Sequence, residues 1–230
     1  MTQRDILRIA MEQSAIDCGC DPSDFEKTEH VVVRSVPHPE ARRYLTLPFS
    51  CNLVSYGNNV VASVSEEYRV PAEAYIAKYP VEHCFETPNL HVLNDALLPM
   101  GQKICFMAEY FLSDTDNLRE RPCPYEMRIL YPEDFADLYV PEWSNALCEH
   151  RKHLDVLGVG AYDSGKLVGL AAVRRTAKPC GRSASMFCRP IVVGGLRPRL
   201  QAVWHSRFSN AEKFPSTAPR GQTSAPCGTQ

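Results

Sequence analysis

Three glycines in the stretch "LGVGAYDSG", Gly158, Gly160 and Gly165, are spaced loosely like the loop that lets a backbone close around a dinucleotide pyrophosphate. That chemistry requires a strand-to-helix turn, so that the phosphates meet the N–H groups at a helix start. Here the glycines lead into a second apolar run, "KLVGLAA", and the stretch predicts a hairpin turning at Asp163-Ser164-Gly165. A phosphate cradle is not expected there. Cys18 and Cys20 form a Cys-x-Cys pair, half of what a zinc ion needs, with no second pair at a matching spacing; they are expected to be thiols at a helix end, and no metal is assigned. His150 and His153 flank Arg151 and Lys152, which predicts a solvated helix face rather than a ligand set. The sequence contains no G-x-S-x-G, P-loop or H-E-x-x-H pattern. Glu109 and Tyr110 in "CFMAEYFLS" place a carboxylate and a phenol side by side, and strand alternation accounts for both.

The composition, 44% hydrophobic and 23% charged over 230 residues, is that of a soluble globular protein of one large or two small domains. No apolar run approaches membrane-spanning length, so no membrane partner is expected. "MTQRDILRIAMEQSA" carries Asp5 and Glu12 and lacks an apolar signal core, so a cytoplasmic protein is expected. The ten cysteines are read as reduced, packing as small hydrophobes at the edges of strands and helices. The net charge of −2 hides an asymmetry: residues 1–170 hold 15 Lys/Arg against 26 Asp/Glu, whereas residues 171–230 hold 10 Lys/Arg against Glu212 alone. Such a split raises the question of a polyanion-binding tail.

The elements behind these residues follow from periodicity and punctuation. "TQRDILRIAMEQSA" predicts a helix opened by a Thr2–Asp5 capping box, and "DPSDF" a short second one. "EHVVVRSV" predicts a strand. "CNLVSYGNNVVASV" predicts a hairpin with Gly57-Asn58-Asn59 supplying the positive-φ residues. "PAEAYIAKY" and "NLHVLNDALLPMG" predict helices, the second closed by Gly101, and "KICFMAEYFLS" a strongly apolar strand. Two prolines and a charge cluster in "RERPCPYE" mark a linker. Beyond it come a strand in "YEMRIL", a helix started by Pro132 with Glu133 and Asp134 in its first turn, a helix through "NALCEHRKHL", and the hairpin. The expected fold class is α/β with a mixed α+β sheet. Its expected parts are an N-terminal α/β domain over 1–118, a linker over 119–125, a strand-helix-helix-hairpin unit over 126–171 and a tail over 172–230.

"YEMRILYPEDFADLY" and then "LGVGAYDSGKLVGLAA", with Val168-Gly169-Leu170 ending the second hairpin strand, resembles the opening half of the GNAT superfamily of acetyl-CoA-dependent N-acetyltransferases. The resemblance covers about residues 125–172. It implies a fourth strand next, then a loop of the form Arg/Gln-x-x-Gly-x-Gly/Ala opening a long helix, whose N–H groups would hold the pyrophosphate of acetyl-CoA. The chain continues instead with "VRRTAKPCGRSASMFCRPIVVGGLRPRL", with Gly194-Gly195 but no helical period and an interrupting Pro198.

The genetic code connects the two. If one nucleotide is missing near codon 172, each original codon joins the third base of one residue to the first two of the next. Met186 before Phe187 then forces a Val codon, and Phe187 before Cys188 a Leu codon. Continuing to Leu196, the permitted wobble bases allow V-L-P-A-Y-R-G-R-G-L, the implied loop in its implied place. Residues 178–183 can likewise yield T-M-W-Q-I-G, and residues 213–223 V-P-F-Y-C-T-A-W-S-N, in one frame and in family order. Residues from about 172 onward are therefore read as out-of-frame translation, their Arg and Pro excess a by-product of the wrong frame. They are expected to be largely irregular beyond about 175, leaving the hairpin edge at 167–171 without a partner.

The resemblance further implies direct attack of a neutral amine on the acetyl thioester, so the implied acceptor is a small-molecule or peptide amine. A carboxylate assists loss of the amine proton, and an N–H of the fourth strand polarises the carbonyl. Those parts fall in the altered region, so no catalytic or cofactor residue is assigned and this chain is expected to be inactive. On the acceptor side, "YVPEWSNAL" corresponds to a segment that commonly walls the family's acceptor pocket. Glu142 would attract an amine and Trp143 cover it, unless Trp143 is core and Glu142 a helix-start charge. The alternative function is a non-enzymatic interaction protein whose basic tail contacts nucleic acid or another polyanion. The tail has no helical period and few interleaved aromatics, so no nucleic-acid reader is implied.

Overall fold

The computed structural model describes residues 2–112, residues 123–176 and the backbone of residues 186–191. These form two small sheets, one in each half, each with helical segments against it.

Helix α1 (Gln3–Cys18) starts where the sequence expects. The Thr2 N–H donates to Asp5 Oδ2 at 2.8 Å, the Asp5 N–H returns to Thr2 Oγ1 at 3.2 Å, and Gly19 closes the helix at φ 75°. A 3₁₀ turn, Pro22–Glu26, repeats the device with Asp21 and Asp24. Strands β1 (Val31–Arg34), β2 (Cys51–Val54) and β3 (Val61–Val64) form a sheet in the order β1-β3-β2, with β1 parallel and β2 antiparallel to β3. Central β3 is buried throughout, and its alternation assigns the two faces. Val61 packs with Met11, Ala15, Cys18 and Phe25 below α1, and Ser63 Oγ donates to the Cys18 carbonyl at 2.7 Å. Ala62 and Val64 face the opposite way, toward Tyr68, Ala72, Ile76, Leu93 and Leu97 of α2 (Arg69–Lys78), α3 (Thr87–Leu97) and the turn before them. A 3₁₀ turn, Leu98–Met100, and Gly101 at φ 73° end that run as expected. In the hairpin, Gly57 alone of the three turn residues adopts positive φ, at 107°.

The second sheet is an antiparallel meander: β4 (Glu126–Leu130), β5 (Asp155–Asp163), β6 (Lys166–Arg175) and β7 (Met186–Ile191), in that order. The β5–β6 turn falls where expected, with Ser164 at φ 49° and Gly165 at φ 84°. On one face Leu130, Phe135, Trp143, Leu147, Leu170 and Ala172 form a core; Leu157, Val159, Ala161 and Val173 belong to another.

Several expectations are corrected. The apolar stretch at 103–113 is no strand through its described residues, which end at 112, and it belongs to neither described sheet. The two helices expected between β4 and β5 are three 3₁₀ segments, Pro132–Leu138, Pro141–Trp143 and Glu149–Leu154. Pro141 restarts the chain after an extended Val140, and Arg151 leaves helical geometry at φ −139°, so no segment grows to α-helical length. Strand β6 runs past the expected boundary at 171/172, with Ala172 and Val173 buried. Its residues 170–175 pair with β7, so the edge expected to be bare from 167 to 171 is covered at 170 and 171, and residues 186–191 are strand rather than irregular. The remaining expectations about the tail, and residues 113–122 of the stretch around the linker, lie outside the described residues.

Candidate functional site

The segment crossing from β4 to β5 carries the candidate acceptor-side residues. Tyr131 starts it: its N–H donates to Asp134 Oδ2 at 2.8 Å, a first-turn carboxylate closing the 3₁₀ segment behind Pro132. Phe135, wholly buried, anchors that turn on the sheet. Trp143 sits at 5% exposure in the same core, against the sheet that carries Leu130, Leu170 and Ala172. Glu142, its neighbour, is exposed in the first turn of Pro141–Trp143. The two thus occupy opposite environments, the indole in the interior and the carboxylate in solvent. Glu109 and Tyr110 are both exposed, in the irregular segment before residue 113. His150 and His153 are exposed in Glu149–Leu154.

One polar cluster in this half was not foreseen. Asp155 opens β5 with its side chain wholly buried. Tyr139 Oη donates to its Oδ2 at 3.3 Å, the Cys148 N–H donates to the same oxygen at 3.0 Å, and Arg174 Nε donates to Oδ1 at 3.0 Å. Both oxygens are engaged, so Asp155 acts as a pin that ties the crossing segment to β5 and β6, not as a free base. Burial, with the Asp155 charge second, pushes the Tyr139 phenol up to about 12, and the Lys152 ammonium lies 4.5 Å over its ring. At Cys148, burial works against ionisation, but a hydrogen bond from Arg151 and the charges of Arg151 and Arg174 outweigh it and lower the thiol below its ordinary range. The signal available in the sequence was a single one: Asp155 stands directly before the apolar run "VLGVGA", where a charge must find partners once buried.

The glycines of the opening motif serve packing. A Cβ on Gly158 would lie 3.0 Å from the Phe135 ring, and one on Gly160 would meet Tyr162 at 2.8 Å and Leu167 at 2.9 Å. Both are mid-strand in β5, so the sequence reading that they cradle no phosphate agrees with their position.

The implied acetyl-CoA finds no pyrophosphate site among the described residues. Each α-helix start already carries acidic side chains: Asp5 caps α1, Glu66 and Glu67 precede α2, and Glu86 sits at the N-cap of α3. A second anion there would meet like charge rather than a free helix dipole. A depression of about 360 Å³ is lined by His30, Val32, Arg69, Glu73, Ile76 and Ala77, but its ion pair, Arg69 Nε to Glu73 Oε1 at 2.8 Å, is self-satisfied. No group of three His, Cys, Asp or Glu suited to a metal ion occurs among the described residues, and no helix among them is long and apolar enough to cross a membrane.

In the N-terminal half, Asp17 and Arg42 form a buried ion pair at 2.6 Å. The Arg42 N–H also donates to Asp17 at 2.9 Å, and Gln13 Nε2 donates to it at 3.1 Å. Burial pushes the Asp17 carboxyl up, with Arg42 partly opposing. Next along the chain, the Arg43 N–H donates to the Thr176 carbonyl at 2.9 Å, joining the two halves just after β6. The thiols of Cys18 and Cys20 are both pushed up to about 12 by burial.

The chain matches no protein-family profile, no curated protein and no solved structure.

Proposed function

We propose that this gene encodes an acetyl-CoA-dependent N-acetyltransferase of the GNAT type, acting on a primary amine, and that the chain as written is an inactive product broken by a one-nucleotide loss. The observation that carries the reading is the sequence V-L-P-A-Y-R-G-R-G-L, allowed by the codons of residues 186–196 in the shifted frame. It falls beyond the hairpin whose segments carry the resemblance, after room for the implied fourth strand. The antiparallel run β4-β5-β6, with a tight turn at Ser164-Gly165, supplies the kind of platform such a loop would extend. The break is read as lying near codon 172, where the resemblance ends.

In the shifted frame the loop's backbone N–H groups would receive the pyrophosphate, which is what acetyl-CoA needs from a protein of this type. In the frame as written the same positions read "VVGGLRPRL", in which Pro198 forbids the helix that the loop must open. Among the chain's own residues, Glu142, exposed beside the buried Trp143, is the candidate for drawing in a cationic amine, with Trp143 holding that turn on the sheet.

The test is calorimetric titration of acetyl-CoA into the chain as written and into the product of a gene with one nucleotide restored near codon 172. No saturable binding is expected from the first, and saturable binding from the second. Binding by the chain as written, or none by the repaired product, overturns the reading.

A further inference from the structure

The loop that crosses from β1 to β2 closes over the end of α1, yet none of residues 36–50 belongs to either core of the N-terminal half. Its ends are fixed on the sheet. The Ser35 N–H donates to the Val64 carbonyl at 2.8 Å, the Phe49 N–H to Ser35 Oγ at 2.7 Å, and Ser65 Oγ to the Phe49 carbonyl at 2.8 Å. Between those ends the chain makes its own turns, with the Ala41 N–H donating to the His38 carbonyl at 3.2 Å and the Leu45 N–H to the Arg42 carbonyl at 3.0 Å. What holds the loop down is polar. Asp17 of α1, its side chain 4% exposed, receives both the Arg42 guanidinium and the Arg42 N–H, and Gln13 Nε2 donates to the Glu40 carbonyl at 3.3 Å. An element held by a few polar contacts rather than by apolar burial opens at a lower free energy than the core beneath it.

From the same few residues the loop reaches two other parts of the molecule. The Arg43 N–H donates to the Thr176 carbonyl at 2.9 Å, just after β6. The Tyr44 phenol hydrogen-bonds the Tyr110 phenol in the segment 104–112. We infer that residues 36–48 are a clasp that opens and closes as one unit about Ser35 and Phe49, and that the Asp17–Arg42 pair is the lock through which its holds on β6 and on segment 104–112 are made or released together. The three contacts fall on consecutive residues, Arg42, Arg43 and Tyr44, so a backbone movement that withdraws one withdraws all. Arg42 is central to it, since its N–H and guanidinium both serve Asp17 while its carbonyl closes the turn to Leu45. Paired, the two buried charges satisfy each other. With either removed the other is stranded in the interior, and lifting the loop into water relieves it. The inference concerns the chain as written and does not rest on the proposed frameshift, because Thr176 takes part through its backbone carbonyl.

The experiment is native-state amide exchange on the full-length chain as written, in rising urea below the unfolding transition, with brief chymotrypsin digestion of the same samples. In the parent, exchange over 36–48 is expected to depend weakly on urea, as a small opening does, and exchange over 61–64 steeply, as unfolding does. Equal, steep dependence at both would show that the loop opens only with the whole fold, and there is no clasp. In Arg42→Ala, exchange over 36–48 is expected to rise on the order of 10- to 100-fold and stay weakly dependent on urea. Exchange over 173–176 and cutting after Tyr110 are expected to rise with it, with the same weak dependence. If either stays at the parent rate, or rises with the steep dependence of 61–64, the loop does not control it and the inference fails. Should Arg42→Ala not fold, Asp17→Asn decides by the same criteria. Tyr44→Phe keeps the lock and removes one hold, so it is expected to speed the Tyr110 cut alone. A rise over 36–48 and 173–176 in that variant as well would overturn the assignment of the lock to Asp17 and Arg42.

Discussion

At the scale of single residues, burial decides what each charged or nucleophilic group can do. Cys148 differs from the other buried thiols because Arg151 and Arg174 outweigh its burial, whereas Cys18 and Cys20 are pushed up to about 12 and Cys51 to about 11. Alkylation by iodoacetamide near pH 8, monitored site by site by mass spectrometry, should label Cys148 well before those three, and Arg151→Ala should slow it. Equal rates at all four sites would contradict the assigned environment. Asp17 and Arg42 allow a test of the opposite kind. Arg42→Ala strands a buried carboxylate and is expected to cost about 3–5 kcal/mol near neutral pH. Burial raises the folded-state pKa of Asp17, and losing Arg42 raises it further. A carboxyl raised in this way penalises the folded state as pH climbs through its folded value and is harmless below its unfolded value. The stability gap between parent and Arg42→Ala should therefore narrow as pH falls from 7.5 toward 4.5, as urea titrations at several pH values would show. A gap independent of pH would mean that Asp17 is not the group left behind.

At the scale of elements, packing around two glycines sets the fit between β5 and the crossing segment. Gly158→Ala drives a methyl group to 3.0 Å from Phe135, which is wholly buried and has nowhere to move. The expected cost is about 1–3 kcal/mol. Gly160→Ala meets the far ends of Tyr162 and Leu167, both only half-buried, and of Leu130 at 3.2 Å, so it should cost less. Thermal unfolding of the two variants should rank them in that order; the reverse ranking would show that Phe135 is not locked. Elements with local causes were legible in the sequence. The Thr2–Asp5 cap, the β-branched runs of β1 and β3, and the turn at Ser164-Gly165 each depend on residues within a few positions. What escaped was long-range. The run "KICFMAEYFLS" has strand composition, but a strand exists only where another offers its edge, and the sequence alone does not say where that edge comes from. The crossing segment was read as two helices, the first because Pro132 with Glu133 and Asp134 has the form of a helix start, whereas Pro141 and the break at Arg151 reduce it to short turns. The Asp155 pin escaped for a similar reason, since its partners come from three separate segments.

At the scale of the whole molecule, the two halves differ in how complete they are. The N-terminal sheet has helices on both faces and a fully buried central strand, Val61–Val64. It carries within itself the apolar cover that a small unit needs. Immediately after it comes the strip at 104–112, with Phe106, Tyr110 and Phe111 more than half exposed, whereas Phe25 and Tyr75 are buried. Chymotrypsin cuts after aromatic residues but needs a chain it can draw into its site, and extended exposed segments satisfy that where packed ones do not. Brief digestion of the chain as written should therefore cut first after Phe106, Tyr110 or Phe111. It should leave a fragment running from the N-terminus to that point, which resists further cutting and unfolds in one cooperative step. If cutting in the chain as written begins instead at Phe25 or Tyr75, the N-terminal half is not the self-sufficient unit that its two covered faces imply.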